Sequence, residues 1–119
     1  MQNMEPLMVH YGVNLVIQGH NHAYVRTRSM IGNKVDQTNR GPVYLTVGAG
    51  GNSHSKGPLN IVPEPWVAHR DHTEFGYVEL LVVNQTHARL SRILNRGVDA
   101  NATARDEAWI LNHDIMTAA

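Results

Sequence analysis

The sequence predicts an α/β domain, and three features predict it. An opening segment reads as a helix that stops at a glycine, two short apolar runs read as buried strands, and the last third holds two strand-like runs joined by a tight turn. Taken in order, Met4-Glu5-Pro6-Leu7-Met8-Val9-His10-Tyr11 is the end of a helix, and Gly12 accepts the left-handed conformation that closes one. Val13 to Ile17 is too short and too apolar for anything but a strand buried on both faces. Tyr24 to Ser29 continues extended, and Ile31-Gly32-Asn33-Lys34 is a turn. Val43 to Val47, β-branched and aromatic, is a second buried strand, ended by three glycines within four residues. From Gly48 to Glu74 the chain is rich in Gly, Pro, Asn, Ser and His and reads as a long functional loop, with Trp66 and Phe75 pinning it to the body. Gly76 to Val83 and His87 to Leu94 form a hairpin across Asn84-Gln85-Thr86. Asn95 to Thr103 is a polar connection, and Arg105 to Asn112 is either a short helix or a last edge strand.

Bulk properties narrow the function by exclusion. At 119 residues the chain is one small unit with a modest core, without repeats or linkers. Ten basic and ten acidic side chains give zero net charge and no like-charged run, so nucleic-acid and membrane-surface partners are not expected. No stretch reads as transmembrane, and Met1-Gln2-Asn3-Met4-Glu5 has neither the basic beginning nor the apolar core of a signal peptide. With no cysteine, disulfides and thiolate metal sites are excluded and histidine is the strong nitrogen ligand left. Sequons at Asn84 and Asn101 are compatible with a secretory glycoprotein.

The residues with the most chemistry are Gly19-His20-Asn21-His22, arriving directly after Val13-Asn14-Leu15-Val16-Ile17. In an extended segment side chains repeat every two residues, so His20 and His22 would leave the same side with α-carbons about 6.5–7 Å apart. Two such rings can serve ions roughly 3.5–4 Å apart in a two-metal hydrolytic site. The same spacing also occurs in single-zinc hydrolases and cupin-like barrels, with His54 or His87 as a third ligand here, and in plain hydrogen-bonded loops.

The wider pattern resembles a known family. Tyr11-Gly12-Val13-Asn14-Leu15-Val16-Ile17-Gln18-Gly19-His20-Asn21-His22-Ala23-Tyr24-Val25-Arg26 resembles the last metal-binding motif of the purple acid phosphatases, calcineurin-like metallophosphoesterases with "YGVDLVxxGHxHxYER". Gly41 to Asn52 is similar to their "GPVYxxxGxGGN", and Phe75-Gly76-Tyr77 with Asn84-Gln85-Thr86-His87 to "FGxxxLxxxNxTHxxW". Asp106-Glu107-Ala108-Trp109-Ile110 sits where such proteins end.

This resemblance implies the C-terminal portion of a four-layer α/β/β/α metallophosphoesterase sandwich. It implies an acid phosphatase that hydrolyses phosphate monoesters with a metal-bound hydroxide at a dinuclear centre, Fe(III) with Zn, Fe(II) or Mn. His20 would bind the exchangeable divalent ion and His22 the ferric ion. The implied compartment is secreted, secretory or lysosomal-vacuolar. Arg26, His54 and His69 are the candidates for touching substrate; His72, His87 and His113 rank below them. Two positions depart from the family: Val25 replaces the glutamate of "YER", removing any bond that acid makes, and Ala49 replaces the aspartate of "GDGGN".

The family's other ligand motifs, GDxG, GDxxY and GNH(D/E), precede GHxH and do not occur; Gly51-Asn52-Ser53-His54 lies on the wrong side of it. Residues 1–119 are therefore expected to be an incomplete C-terminal part of a metallophosphoesterase domain, inactive alone. An open sheet edge predicts self-association, as a symmetric homodimer. The rival expectation is a non-catalytic remnant or interaction domain of the same fold.

Overall fold

Helix α1 (Glu5–His10) has proline in its first turn and ends at Tyr11, after which Gly12 takes φ +66°, the left-handed cap expected of it. In the computed structural model, which describes residues 4–51, 63–95 and 104–114, eight strands follow. They are β1 (Leu15–Gln18), β2 (Tyr24–Ile31), β3 (Lys34–Val35), β4 (Val43–Val47), β5 (Val67–Asp71), β6 (Gly76–Val82), β7 (His87–Leu94) and β8 (Ala104–Leu111).

The first five make one sheet in the order β1-β4-β2-β3, with β5 pairing the start of β2 beside Tyr24 to Thr27. β1 and β4 run parallel, and β2 runs antiparallel to β4. The last three form an antiparallel sheet, β6-β7-β8. Strand alternation gives each sheet one face for the other: Tyr24 and Leu45 from the first meet Leu90 and Ile110 from the second. Leu15, Val43, Val47, Val78 and Ala88 pack around these four. On the opposite face of the larger sheet Tyr44 lies beside Glu5 of α1, and burial first, then that carboxylate, raise the phenol's pKa.

Several expectations change. The segment from Gly48 to Glu74 is not all loop: β5 lies within it, hidden because Val67-Ala68-His69-Arg70-Asp71 is evenly half-buried and carries no two-residue alternation. β3 was also unforeseen, although the turn before it is as expected, with Gly32 and Asn33 both at φ 60°. Arg105 to Asn112 resolves as strand, since β8 pairs with β7 along its length. Val13 to Ile17 is not buried on both faces. β1 ends the sheet order and Ile17 is 56% exposed. The edge strand β6 exposes Leu80, Leu81 and Val82 as well.

Candidate functional site

Parallel pairing of β1 with β4 brings their C-terminal ends together, and both ends release a glycine-containing turn. In open sheets with parallel strands this is where ligands bind. From β1 comes Gly19-His20-Asn21-His22; from β4 comes Gly48-Ala49-Gly50-Gly51. The two turns touch: a Cβ on Gly48 would collide with the Asn21 carbonyl oxygen, and the Gly48 N–H donates to the Ala23 carbonyl at 3.1 Å. Gly48 is therefore needed for close approach, as expected of a backbone glycine.

The histidine turn itself is not extended. Strand geometry stops at Gln18, His20 takes φ +73°, and the Asn21 and Ala23 N–H groups donate two residues back to Gly19 and Asn21. Two-residue alternation consequently does not govern His20 and His22, which corrects the spacing argument. His20 is exposed and His22 half-buried, so the pair sits at the surface of the sheet's end.

Immediately after His22 the chain enters a polar cluster between the sheets. Ala23 is buried, and the Tyr24 ring is 1% exposed. The Tyr24 phenol donates to Asp106 Oδ2 at 2.6 Å, while Arg26 Nε and Nη2 donate to Oδ2 and Oδ1 at 2.7 and 2.9 Å. This fork-on-carboxylate geometry is the strong form of an ion pair. Burial pushes the Asp106 carboxyl up, but bonds from Arg26 and Tyr24 outweigh it and hold the pKa below its ordinary value. Burial and the same carboxylate push Tyr24 well up, so the phenol stays protonated. His69, opposite Arg26 on β5, meets the Tyr24 ring edge-on at 5.9 Å. The Arg92 guanidinium lies 4.7 Å from the same ring's centre, pairs with Asp71 at 2.6 Å and donates to the Glu74 carbonyl at 2.9 Å.

Candidates from the sequence thus separate. Arg26 is spent on Asp106, and His69 belongs to a strand rather than to a loop. His87 accepts or donates at 2.7 Å to the Thr86 hydroxyl and stacks edge-on with Trp109. His54 and Asn101 lie outside the described residues. Asn84 is exposed in its hairpin turn, its Oδ1 accepting from Thr86 and His87 N–H groups. Val25 points to the face away from Arg26, so the glutamate it replaces would not reach that guanidinium. A groove of about 850 Å³ between the sheets includes Arg26, Arg28, Trp109 and His113 but neither histidine of the turn. A smaller one of about 470 Å³, on the α1 side, reaches Asn21.

Residues 41–107 match the family model described as iron/zinc purple acid phosphatase-like protein C, more than half of the chain. The chain belongs to the purple acid phosphatase family. It is 40% identical over 111 residues to purple acid phosphatase 18 of Arabidopsis thaliana, covering 92% of this chain and 24% of that protein. To Fe(3+)-Zn(2+) purple acid phosphatase 12 of the same plant it is 34% identical, covering 91% and 24%. To acid phosphatase type 7 of Homo sapiens it is 29% identical, covering 93% and 26%. A purple acid phosphatase from yellow lupin (Lupinus luteus) seeds superposes with a TM-score of 0.81 at 22% identity, over 98% of this chain and 21% of that one. The fold is that of the C-terminal part of a purple acid phosphatase, and the chain spans about a quarter of the length of these relatives.

Proposed function

We propose that this chain is the C-terminal part of a metal-dependent acid phosphatase acting on phosphate monoesters, to whose dinuclear iron-containing centre it contributes His20 and His22. The observation carrying the proposal is the junction of the histidine turn with Gly48 at the shared ends of β1 and β4. Among the described residues no group of three or more His, Cys, Asp or Glu gathers. Metal sites of this kind take three or four protein ligands per ion, so two imidazoles fit as part of a centre completed by other residues. Two ions bound there supply the attacking oxygen and neutralise charge on the phosphoryl group. This chain's own task is to present the rings from a turn locked by backbone hydrogen bonds.

Loaded with iron and zinc, the chain alone is expected to hydrolyse an aryl phosphate only at background. A chimera in which it replaces the C-terminal quarter of a relative should turn over, and His22→Ala should abolish that turnover. A folded chimera without activity would sink the proposal.

A secretory location is part of the same reading, supported by the exposed Asn84 sequon. Expressed through a secretory pathway, the protein should lose mass on glycosidase treatment, and Asn84→Gln should remove most of that difference. An unshifted band in the unsubstituted protein would count against it.

A further inference from the structure

We propose that Asp106 is the positioning residue of the histidine turn: by gripping Tyr24 and Arg26 from the opposite sheet, it fixes the backbone from which His22 projects. Only Ala23 separates His22 from Tyr24. The Ala23 N–H donates to Asn21 at 2.8 Å and its carbonyl accepts from Gly48, so no slack lies between the ring-bearing residue and the clamp. Upstream, Asn21 is wedged against Gly48. On the downstream side the tie is made by side chains, three hydrogen bonds converging on one carboxylate that is 7% exposed. Arg26 and Tyr24 leave the same face of β2, so a single group on β8 sets both the depth and the twist of the strand's first turn of pleat. A hydrophobic contact would allow the strand to slide; a bidentate pair plus a phenol bond does not.

The consequence for metal binding rests on the function proposed above, whereas the positional claim does not. The test therefore uses this chain with two readouts. Backbone amide relaxation reports the rigidity of residues 20–23 without metal, and calorimetry with zinc ion alone reports affinity. Asp106→Asn removes the charge and one acceptor, Tyr24→Phe removes one hydroxyl, and Asp36→Asn breaks the turn at the far end of β2, where Asp36 accepts from Thr38, Arg40 and Gly41.

In Asp106→Asn the order parameters at 20–23 should drop well below the roughly 0.85 of rigid backbone. Zinc affinity should fall about tenfold, the scale on which outer partners of metal ligands act. Tyr24→Phe should give a smaller change of the same kind, and Asp36→Asn neither. Unchanged order parameters in Asp106→Asn, or equal loosening in Asp36→Asn, would overturn the proposal; should Asp106→Asn fail to fold, Tyr24→Phe decides by the same measure. If the unsubstituted chain binds zinc no better than a His20→Ala/His22→Ala variant, the two rings alone do not hold the ion, as an incomplete ligand set allows, and relaxation alone judges the positioning role.

Discussion

In a full-length phosphatase that contains this chain, His22→Ala should lower kcat by at least about a hundredfold, the upper end of what even outer-shell losses cost. The two histidines should fail differently. By the roles that family resemblance gives them, loss of His22 removes the ferric ion and its visible colour, and loss of His20 removes chiefly the divalent ion. On the function proposed above, both should depress kcat far more than they raise KM, because the nucleophile and the charge stabilisation at phosphorus would depend on the two ions together. Metal analysis with visible spectra checks this directly. Retention of both ions and near-normal turnover in either variant would show that the ligands lie elsewhere, and His54 would be tested next; His69, half-buried against Tyr24, would follow.

Asp71→Ala should destabilise the fold by about 3 kcal/mol, because it strands a charge in the core. Arg92 is 2% exposed, and Asp71 is its carboxylate partner. Burial pushes the Asp71 carboxyl up, yet Thr73 and Arg92 bonds outweigh it and hold the pKa at about 2. Asp36 is likewise held at about 2, by bonds from Thr38, Gly41 and Arg40 that outweigh its burial. A folded pKa below the unfolded value of about 3.9 means that the stability is present above about pH 4 and is lost as pH falls toward 2. The urea midpoint should accordingly be flat through mildly acidic pH and decline below 4, with a shallower decline in Asp71→Asn. A steep loss already between neutral and mildly acidic pH would show that other groups control stability, and an Asp71→Ala cost under about 1 kcal/mol would show that the pair does not.

Much of this was legible from residues alone, for identifiable reasons. Gly12 as a helix stop, the hairpin at Asn84-Gln85-Thr86 and the strand at Val43 to Val47 are local decisions, made by a cap, a turn and a β-branched run. β5 was not local. Its residues are strand only because β2 offers them a partner, and a bulge beside Arg26 and Thr27 breaks the alternation that would have advertised it. The histidine turn is legible by its residue types, whereas its shape is not, since a non-glycine residue, His20, takes the positive φ and no local signal announces it. Asp106 stood in plain view within the closing motif, but nothing nearby in the chain says that its carboxylate crosses to Arg26.

That crossing has a consequence for the order of folding. Asp106 and Arg26 are 80 positions apart, and closing so long a loop costs more chain entropy than closing the neighbouring hairpins. The β6–β7 hairpin, joined by its short turn, can form as soon as both strands exist, whereas the grip on Arg26 waits for β8. During synthesis the histidine turn leaves the ribosome before its anchor does. A chain stopped before Asp106 would therefore hold both imidazoles without the carboxylate that orients them.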